Sequence, residues 1–361
     1  MAVRKLNVVH VCDHLGWTGS RMHGVKRLFA WTIPRFDSRR FTVSLVSLRK
    51  RDESEDNLER FGIDVTYLDR GRFDPATLPA LLRVLKEKQT DILHMHGYGA
   101  TTFGRLAAAW YRIPTVLHEH ANLTSTPWFQ QVADELLLPF TDLAIAVSRS
   151  TAEFVVSARR VPSALTRIVY LGAPLDDFGR VRSADEVRAA RLALGVSDET
   201  FAVGTVTRLM PSKGNEYLIA GVSQVLAHCP DVRFYIVGEG ELQGVLEEQA
   251  RALGISDKVR FVGFRRDVSM AYAAFDLVVF PSLWEGTPLT AFEALAMGKP
   301  IIATDCDGLL DILTAGTDAR IVPRRDAKAL AEAVVALSLD DTAREGLGRN
   351  ARNTGAAYDI G

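Results

Sequence analysis

Short runs rich in β-branched residues alternate with longer amphipathic stretches along the whole chain. This alternation constrains the fold more than any other feature. Residues 6–12, 41–48, 92–95, 115–117 and 143–147 read as strands, and 24–35, 75–88, 99–111 and 149–159 as the helices between them. Such a rhythm implies right-handed crossovers and a parallel sheet. It breaks at residues 171–174 and the polar stretch 176–183. It then resumes with strands at 202–207, 232–237, 259–261, 277–280 and 300–304. At 361 residues the chain exceeds what one small core organises. We expect an α/β protein of two Rossmann-like parallel-sheet domains, 1–175 and 176–361. Ligands of open parallel sheets bind beyond the carboxyl ends of the strands. Two such sheets facing each other would enclose an interdomain cleft with a substrate on each side.

Composition removes several classes of function. The chain is 47% hydrophobic and 24% charged, with a net charge of −1. A nucleic-acid binder would show a basic excess, so no nucleic-acid partner is expected. The three cysteines, Cys12, Cys229 and Cys306, are far apart and form no CxxC, which fits neither a disulfide framework nor a cysteine zinc site. The first residues lack the long apolar region of a signal peptide, and no run approaches the ~20 apolar residues of a spanning helix. A cytoplasmic protein follows, with at most peripheral contact at the inner membrane face. Arg35, Arg39, Arg40, Arg49, Lys50 and Arg51 make a basic stretch, but the acidic run 52–56 follows at once. We read the pair as a solvated face that gives weak, salt-sensitive contact with anionic membranes at most.

The second half carries the most informative constellation. Its first strand ends in Thr207-Arg208-Leu209, and a helix begins after Pro211-Ser212-Lys213-Gly214. Arg208 and Lys213 thus flank a helix start, where backbone N–H groups favour an anion such as phosphate. The next strand ends in Gly238-Glu239-Gly240, which can bring backbone close to a ligand or simply make a tight turn. Its third glycine, Gly244, falls one residue late for a dinucleotide fingerprint, so a nicotinamide or flavin is disfavoured. After strand 277–280 comes Pro281-Ser282-Leu283-Trp284-Glu285-Gly286-Thr287-Pro288-Leu289, then a helix from about 290 to 297. Glu285 and Glu293 are eight residues apart, a span of ~12 Å if wholly helical. That resembles the distance from a sugar to a ribose across a diphosphate. The bland alternative is a helix-capping Glu285 and a surface Glu293.

Glu285-x7-Glu293, set in Phe280-Pro281-Ser282-x-x-Glu285-Gly286-x-Pro288-x4-Glu293-Ala294, resembles the signature of the family 4 glycosyltransferases. These are retaining enzymes of GT-B fold. Arg208, Lys213 and the Gly238-x-Gly240 turn fall in the family's order. The resemblance implies that Arg208 and Lys213 bind a donor diphosphate and Glu293 holds the ribose. It implies that Glu285 contacts the donor sugar beside the reacting carbon, with backbone at Gly286, Thr287, Pro288 and Leu289 covering sugar and phosphate. Gly24 matches a Gly-Gly loop that approaches the donor phosphates, though His23 replaces its first glycine. The family's closing C-terminal helix looks incomplete in this sequence.

In the first half, His94-Met95-His96 ends one strand and His118-Glu119-His120 the next, so four histidines gather at one sheet edge. A metal site, an acceptor-binding and catalytic group, and a buried hydrogen-bonded network are all open on the residues alone. By resemblance, His120 lies near the reacting carbon and the acceptor; His94, His96 and His118 stand on the same side. Asp305-Cys306-Asp307 has the letters of a metal-binding DxD motif but follows the wrong strand, and reads as a turn. The expected activity is a metal-independent transfer of a hexose-type sugar from a nucleotide diphosphate sugar of UDP or GDP type. The acceptor is a hydroxyl of a glycan, lipid-linked or small molecule. The alternatives are a sugar-nucleotide epimerase or phosphorylase of the same fold, and a non-catalytic sugar-nucleotide binder.

Overall fold

The computed structural model describes residues 4–16, 21–120 and 126–361. The chain divides into two compact units, Met1–Tyr170 and Leu171–Gly361. In the first unit, β1 (Leu6–Cys12), β2 (Phe41–Ser47), β3 (Val65–Tyr67), β4 (Ile92–His96), β5 (Thr115–Glu119), β6 (Leu143–Ala146) and β7 (Thr166–Ile168) form one sheet. The order is β3-β2-β1-β4-β5-β6-β7, and the pairings are parallel. Helices α1 (Gly24–Thr32), α2 (Thr77–Glu87), α3 (Tyr98–Tyr111), α4 (Trp128–Leu137) and α5 (Arg149–Ser157) lie between strands. Val9, Val11, Leu93, Met95 and Leu117 are all at most 1% exposed. Their strands are covered on both faces, as the near-continuous apolar runs require.

The second unit repeats the plan. Helices α6 (Leu175–Phe178) and α7 (Ala184–Leu194) lead into β8 (Phe201–Val206), α8 (Asn215–His228), β9 (Val232–Val237), α9 (Gln243–Ala252) and β10 (Val259–Gly263). Then follow α10 (Val268–Ala274), β11 (Leu277–Phe280), α11 (Leu289–Ala296), β12 (Ile301–Thr304), α12 (Asp307–Leu310) and β13 (Arg320–Val322). Helices α13 (Ala327–Leu339) and α14 (Asp341–Gly355) end the unit. The sheet order is β10-β9-β8-β11-β12-β13, and the pairings are again parallel. In each sheet the order reverses beside the first strand, between β1 and β4 and between β8 and β11. Those two crevices are where such folds hold ligands.

One helix departs from the usual polarity. α4 buries Gln130 and Asp134, at 7% and 0% exposure, and shows Trp128, Phe129, Val132 and Leu136 to solvent. A buried ionic network turns it inside out. Asp134 accepts from Arg105 at 2.5 Å and from Arg159 at 2.6 Å, and Arg159 also reaches Glu119 at 2.5 Å. Two guanidinium groups and two carboxylates balance in charge, and the guanidinium of Arg159 lies over the Tyr98 ring. The network joins α3, α4, β5 and the turn after α5.

The acidic run 52–56 is only in part the solvated face expected from sequence: Glu53 and Glu55 are exposed, but Asp52 and Asp56 are buried. Asp52 is 1% exposed and forms a buried ion pair with Lys26 of α1. The basic stretch before it is partly occupied as well. Arg39 pairs with Asp37 at 3.0 Å, Arg51 with Glu59 at 2.9 Å, and Arg49 donates to the Gly71 carbonyl at 2.7 Å.

Candidate functional site

The second unit places the charged pair as a coupled device. β8 and β11 are adjacent, so the loops leaving them meet. Gly214, at φ +60°, turns the first loop into α8, and a Cβ there would lie 2.1 Å from the Pro281 carbonyl oxygen of the second. The Leu283 N–H donates to the Ser212 carbonyl at 2.8 Å. Across this junction Lys213 Nζ donates to both carboxylate oxygens of Glu285 at 2.6 Å, and Ser282 Oγ donates to Oε1 at 2.8 Å. Arg208 is exposed on the same loop as Lys213. A pocket of about 400 Å³ opens alongside, lined by Pro211, Ser212, Leu283, Trp284, Arg324 and Arg325.

Glu285 does not cap α11. Pro288 is the N-cap, and its side chain makes no capping hydrogen bond. Gly286, Thr287, Pro288 and Leu289 are buried on the approach to the helix. A helix start without an N-cap side-chain bond favours an anion through its dipole and N–H groups. Glu293 is no surface residue either. It is 0% exposed, in a helix whose Ala291, Phe292, Ala294 and Leu295 are equally hidden. A carboxylate so placed carries a desolvation cost that a merely structural helix would avoid.

Gly238 has a structural reason for being glycine, independent of any ligand. At φ +133°, its Cβ would fall 1.8 Å from the Thr207 carbonyl oxygen. The loop after β9 packs directly on the loop after β8, so the glycine serves loop-to-loop contact. Gly244 lies inside α9 and takes no part in that turn. Asp307, read as part of a turn, opens the short helix α12, and Asp305 accepts the Arg324 N–H at 2.8 Å.

In the first unit the expected histidine cluster is present and larger. His94 and His96 lie on β4, His118 on β5 and His120 just past its end. His10 of β1, not singled out from sequence, joins them, opposite His94 in the register. The only sequence signal was a further histidine near the end of a neighbouring strand. His10 Nδ1 lies 3.0 Å from His96 Nε2, His96 Nδ1 2.8 Å from His120 Nε2, and His94 Nε2 3.1 Å from His118 Nδ1. Burial holds every ring below the ordinary value of 6.5, His10 and His120 at about 4 and the other three well below it. For all but His120, neighbouring rings add to the effect of burial. The cluster is thus neutral near pH 7. Burial also pushes the Glu119 carboxyl up, against the opposing pull of Arg159.

Two triplets, His10/His94/His96 and His96/His118/His120, bring ligand nitrogens within 4.8 Å of one another, close enough to consider an ion. The hydrogen-bonded rings are tilted by only 17° to 19°, with nitrogens facing head to head. Two imidazoles on one tetrahedral zinc, at about 2.0–2.1 Å each, would stand roughly 3.3 Å apart with lone pairs converging on the metal. The observed geometry is that of N–H···N bonds.

At the start of α1, His23 is the N-cap, and its Nδ1 accepts the Lys26 N–H at 3.4 Å. The side chain substituted for the family's first glycine acts as an acceptor in this bond. Among the described residues a Cβ on Gly24 would meet no atom within 4 Å, so none of them demands glycine there.

Comparison with known proteins agrees with these two halves. Residues 22–177 match the model of Glycosyltransferase Family 4 and residues 200–340 that of Glycosyl transferases group 1. The phosphatidyl-myo-inositol mannosyltransferase of Mycolicibacterium smegmatis is 30% identical over 301 residues, covering 80% of this chain and 73% of that protein. The UDP-Gal:alpha-D-GlcNAc-diphosphoundecaprenol alpha-1,3-galactosyltransferase of Escherichia coli is 23% identical over 346 residues, covering 92% and 89%. Among solved structures, Anabaena HepE in complex with UDP superposes with a TM-score of 0.84 at 23% identity, covering 98% of this chain and 96% of that one. That likeness shows the fold, two Rossmann-like domains of GT-B type. Taken with the family models and the 30% identical relative, it places the chain in glycosyltransferase family 4, and the protein is a glycosyltransferase.

Proposed function

We propose that this enzyme transfers a hexose-type sugar, with retention, from a nucleotide diphosphate sugar to a hydroxyl of a lipid-linked or glycan acceptor. The observation that carries the reading is the Lys213–Glu285 pair at the crevice between β8 and β11, with Glu285 in the loop that leads into α11. A diphosphate sugar would replace each member of the pair with a partner of its own: phosphate oxygens for Lys213, with Arg208 and the helix N–H groups, and sugar hydroxyls for Glu285. Backbone from Gly286 to Leu289 would cover sugar and phosphate, with Gly24 and Gly238 at the phosphate side. Glu293 would take the ribose, which requires donor binding to open access to a carboxylate hidden in the free protein. The structures of Anabaena HepE with UDP and with UDP-glucose favour a uridine donor. Leaving-group charge is met by Arg208, Lys213 and the helix terminus, so transfer proceeds without a metal.

His120, backed by His94, His96 and His118, would face the acceptor in the domain spanning residues 1–175, with the donor held in 176–361. A lipid-linked acceptor is favoured because two relatives carry lipid acceptors in their names, and because α4 exposes an apolar face. Among the described residues no helix is long and apolar enough to cross a membrane. We propose a cytoplasmic enzyme with weak peripheral contact at the inner membrane face. Thermal-shift screening of UDP and GDP sugars, followed by transfer assays with and without acceptor lipid and chelator, tests the reading. A ligand at 100 times its Kd should stabilise by ~2.7 kcal/mol. Nucleotide release that needs no acceptor would favour an epimerase or phosphorylase instead.

A further inference from the structure

Three of the histidines form a line. His10, His96 and His120 are joined by ring nitrogens 3.0 Å and 2.8 Å apart, and successive planes differ by 17° and 19°. A neutral imidazole has one N–H and one bare nitrogen. The middle ring therefore cannot donate through both nitrogens or accept through both. Only two assignments satisfy both bonds: all three rings protonated on Nδ1, or all three on Nε2. The tautomer at one end dictates the tautomer at the other.

The two ends differ. His10 is 4% exposed, its Nε2 has no hydrogen-bond partner among the described residues, and Phe29 and Phe36 meet its ring at steep angles of 79° and 75°. That packing fixes the ring's orientation, and a buried bare nitrogen costs less than a buried N–H without an acceptor, so the proton of His10 belongs on Nδ1, toward His96. His120 is only half-buried, so water or substrate can meet its outer edge in either tautomer. The fixed end is thus His10 and the adaptable end His120. His94 and His118 form a separate bonded pair beside the line, linked to each other at 3.1 Å.

We propose that His10 is a positioning residue for the transfer reaction, acting through His96 to hold His120 in a single tautomer. The inference rests on His120 facing the acceptor, as proposed above. A fixed tautomer means that the acceptor hydroxyl always meets the same kind of nitrogen, donor or acceptor, without a proton shift before each turnover.

Nitrogen-15 NMR of histidine-labelled protein at pH 7.5 reads the tautomers directly. The expected result is the same tautomer for His10, His96 and His120; unlike tautomers among the three would overturn the line. In His10→Phe, the His120 signals should move toward a mixture of tautomers. In the same variant kcat should fall about tenfold while donor KM stays within twofold. His10→Asn places an amide near the lost Nδ1, able to donate or accept, and should recover most of the rate. A shifted His120 with unchanged kcat would reduce the line to a structural feature. Absence of turnover in the wild-type enzyme with every sugar nucleotide would sink the transferase reading and the catalytic half of this proposal. The shared tautomer would still stand or fall on the wild-type spectrum, which needs no variant to fold.

Discussion

Lys213 Nζ donates to both carboxylate oxygens of Glu285 at 2.6 Å, so the residue suited to phosphate and the residue suited to sugar hydroxyls neutralise each other before any donor arrives. Donor binding must divide the pair, with phosphate oxygens replacing the carboxylate on Lys213. Lys213→Met should weaken both free nucleotide and donor, by the 1.5–3 kcal/mol typical of a charge-assisted bond. Glu285→Gln releases Lys213, so free-nucleotide affinity should be unchanged or tighter, while kcat/KM for transfer falls. Paired titrations of nucleotide and donor on each variant decide the matter. Equal losses of nucleotide binding in both would contradict this division of roles.

Glu293 pairs a functional expectation with a stability expectation. It is fully buried, and Glu293→Gln keeps its shape and hydrogen-bonding reach, so the ligand-free melting temperature should stay near that of the wild type. Nucleotide and nucleotide-sugar binding should both weaken about tenfold or more, since the ribose is common to both. A variant that melts lower and binds normally would make the carboxylate a structural group.

The parts of the fold that were legible in the sequence are those whose apolar pattern faces inward. Strands such as β9, with Phe234, Tyr235, Ile236 and Val237 all at most 4% exposed, announce themselves. β5 runs on through His118 and Glu119 because its polar end is buried among other imidazoles and ion pairs, which composition alone cannot show. α4 escaped notice because its periodicity is reversed: the partners that bury Asp134, Arg105 and Arg159, come from distant parts of the chain. The same blindness to distant partners hid the Lys26–Asp52 pair inside an apparently solvated charge run. It also left Gly238 open between a ligand approach and a tight turn, because the Thr207 carbonyl that leaves no room for a Cβ comes from another loop. Spacing brought Lys213 and Glu285 under suspicion singly; only the adjacency of β8 and β11 joins them.

The buried quartet of Arg105, Asp134, Arg159 and Glu119 should be sensitive to the loss of one member. Arg159→Met strands Glu119 and leaves Asp134 to Arg105 alone, and breaking a buried pair in this way typically costs about 3–5 kcal/mol. Urea denaturation of the variant should show that loss. A change under about 1 kcal/mol would mean that water reaches the site and screens it.

Acid should destabilise the first domain in a defined window. The five histidines have folded values below the unfolded 6.5, with His10 and His120 at about 4. Between those limits the unfolded chain binds protons that the folded chain refuses, so stability falls as pH drops. Each group contributes up to about 1.4 kcal/mol per pH unit. The raised carboxyl of Glu119 acts in the opposite sense and offsets part of the loss. Denaturation from pH 7.5 to 4.5 should show a slope well above that of one histidine, reduced in His94→Phe if that variant folds. A flat profile above pH 5 would mean that the rings are hydrated and titrate normally.

Membrane contact separates two surfaces of the first domain. The basic stretch predicts binding that salt abolishes, yet Arg39, Arg49 and Arg51 already have partners within the chain. α4 offers an apolar alternative, with Trp128 76% and Leu136 71% exposed on the face opposite buried Asp134. Inserting a large apolar side chain gains on the order of 1.5–3 kcal/mol, and salt does not screen it. We therefore expect weak binding to anionic vesicles that is reduced, but not lost, at high salt. The double variant Trp128→Glu with Leu136→Glu should lose at least tenfold in vesicle affinity, with little change in melting temperature because both side chains are exposed. Arg39→Glu with Arg40→Glu should lose less, and only at low salt. Vesicle sedimentation at 50 and 500 mM salt measures all three proteins. Binding that vanishes at high salt in the wild type, or that survives the α4 substitutions unchanged, would return the contact to the basic stretch.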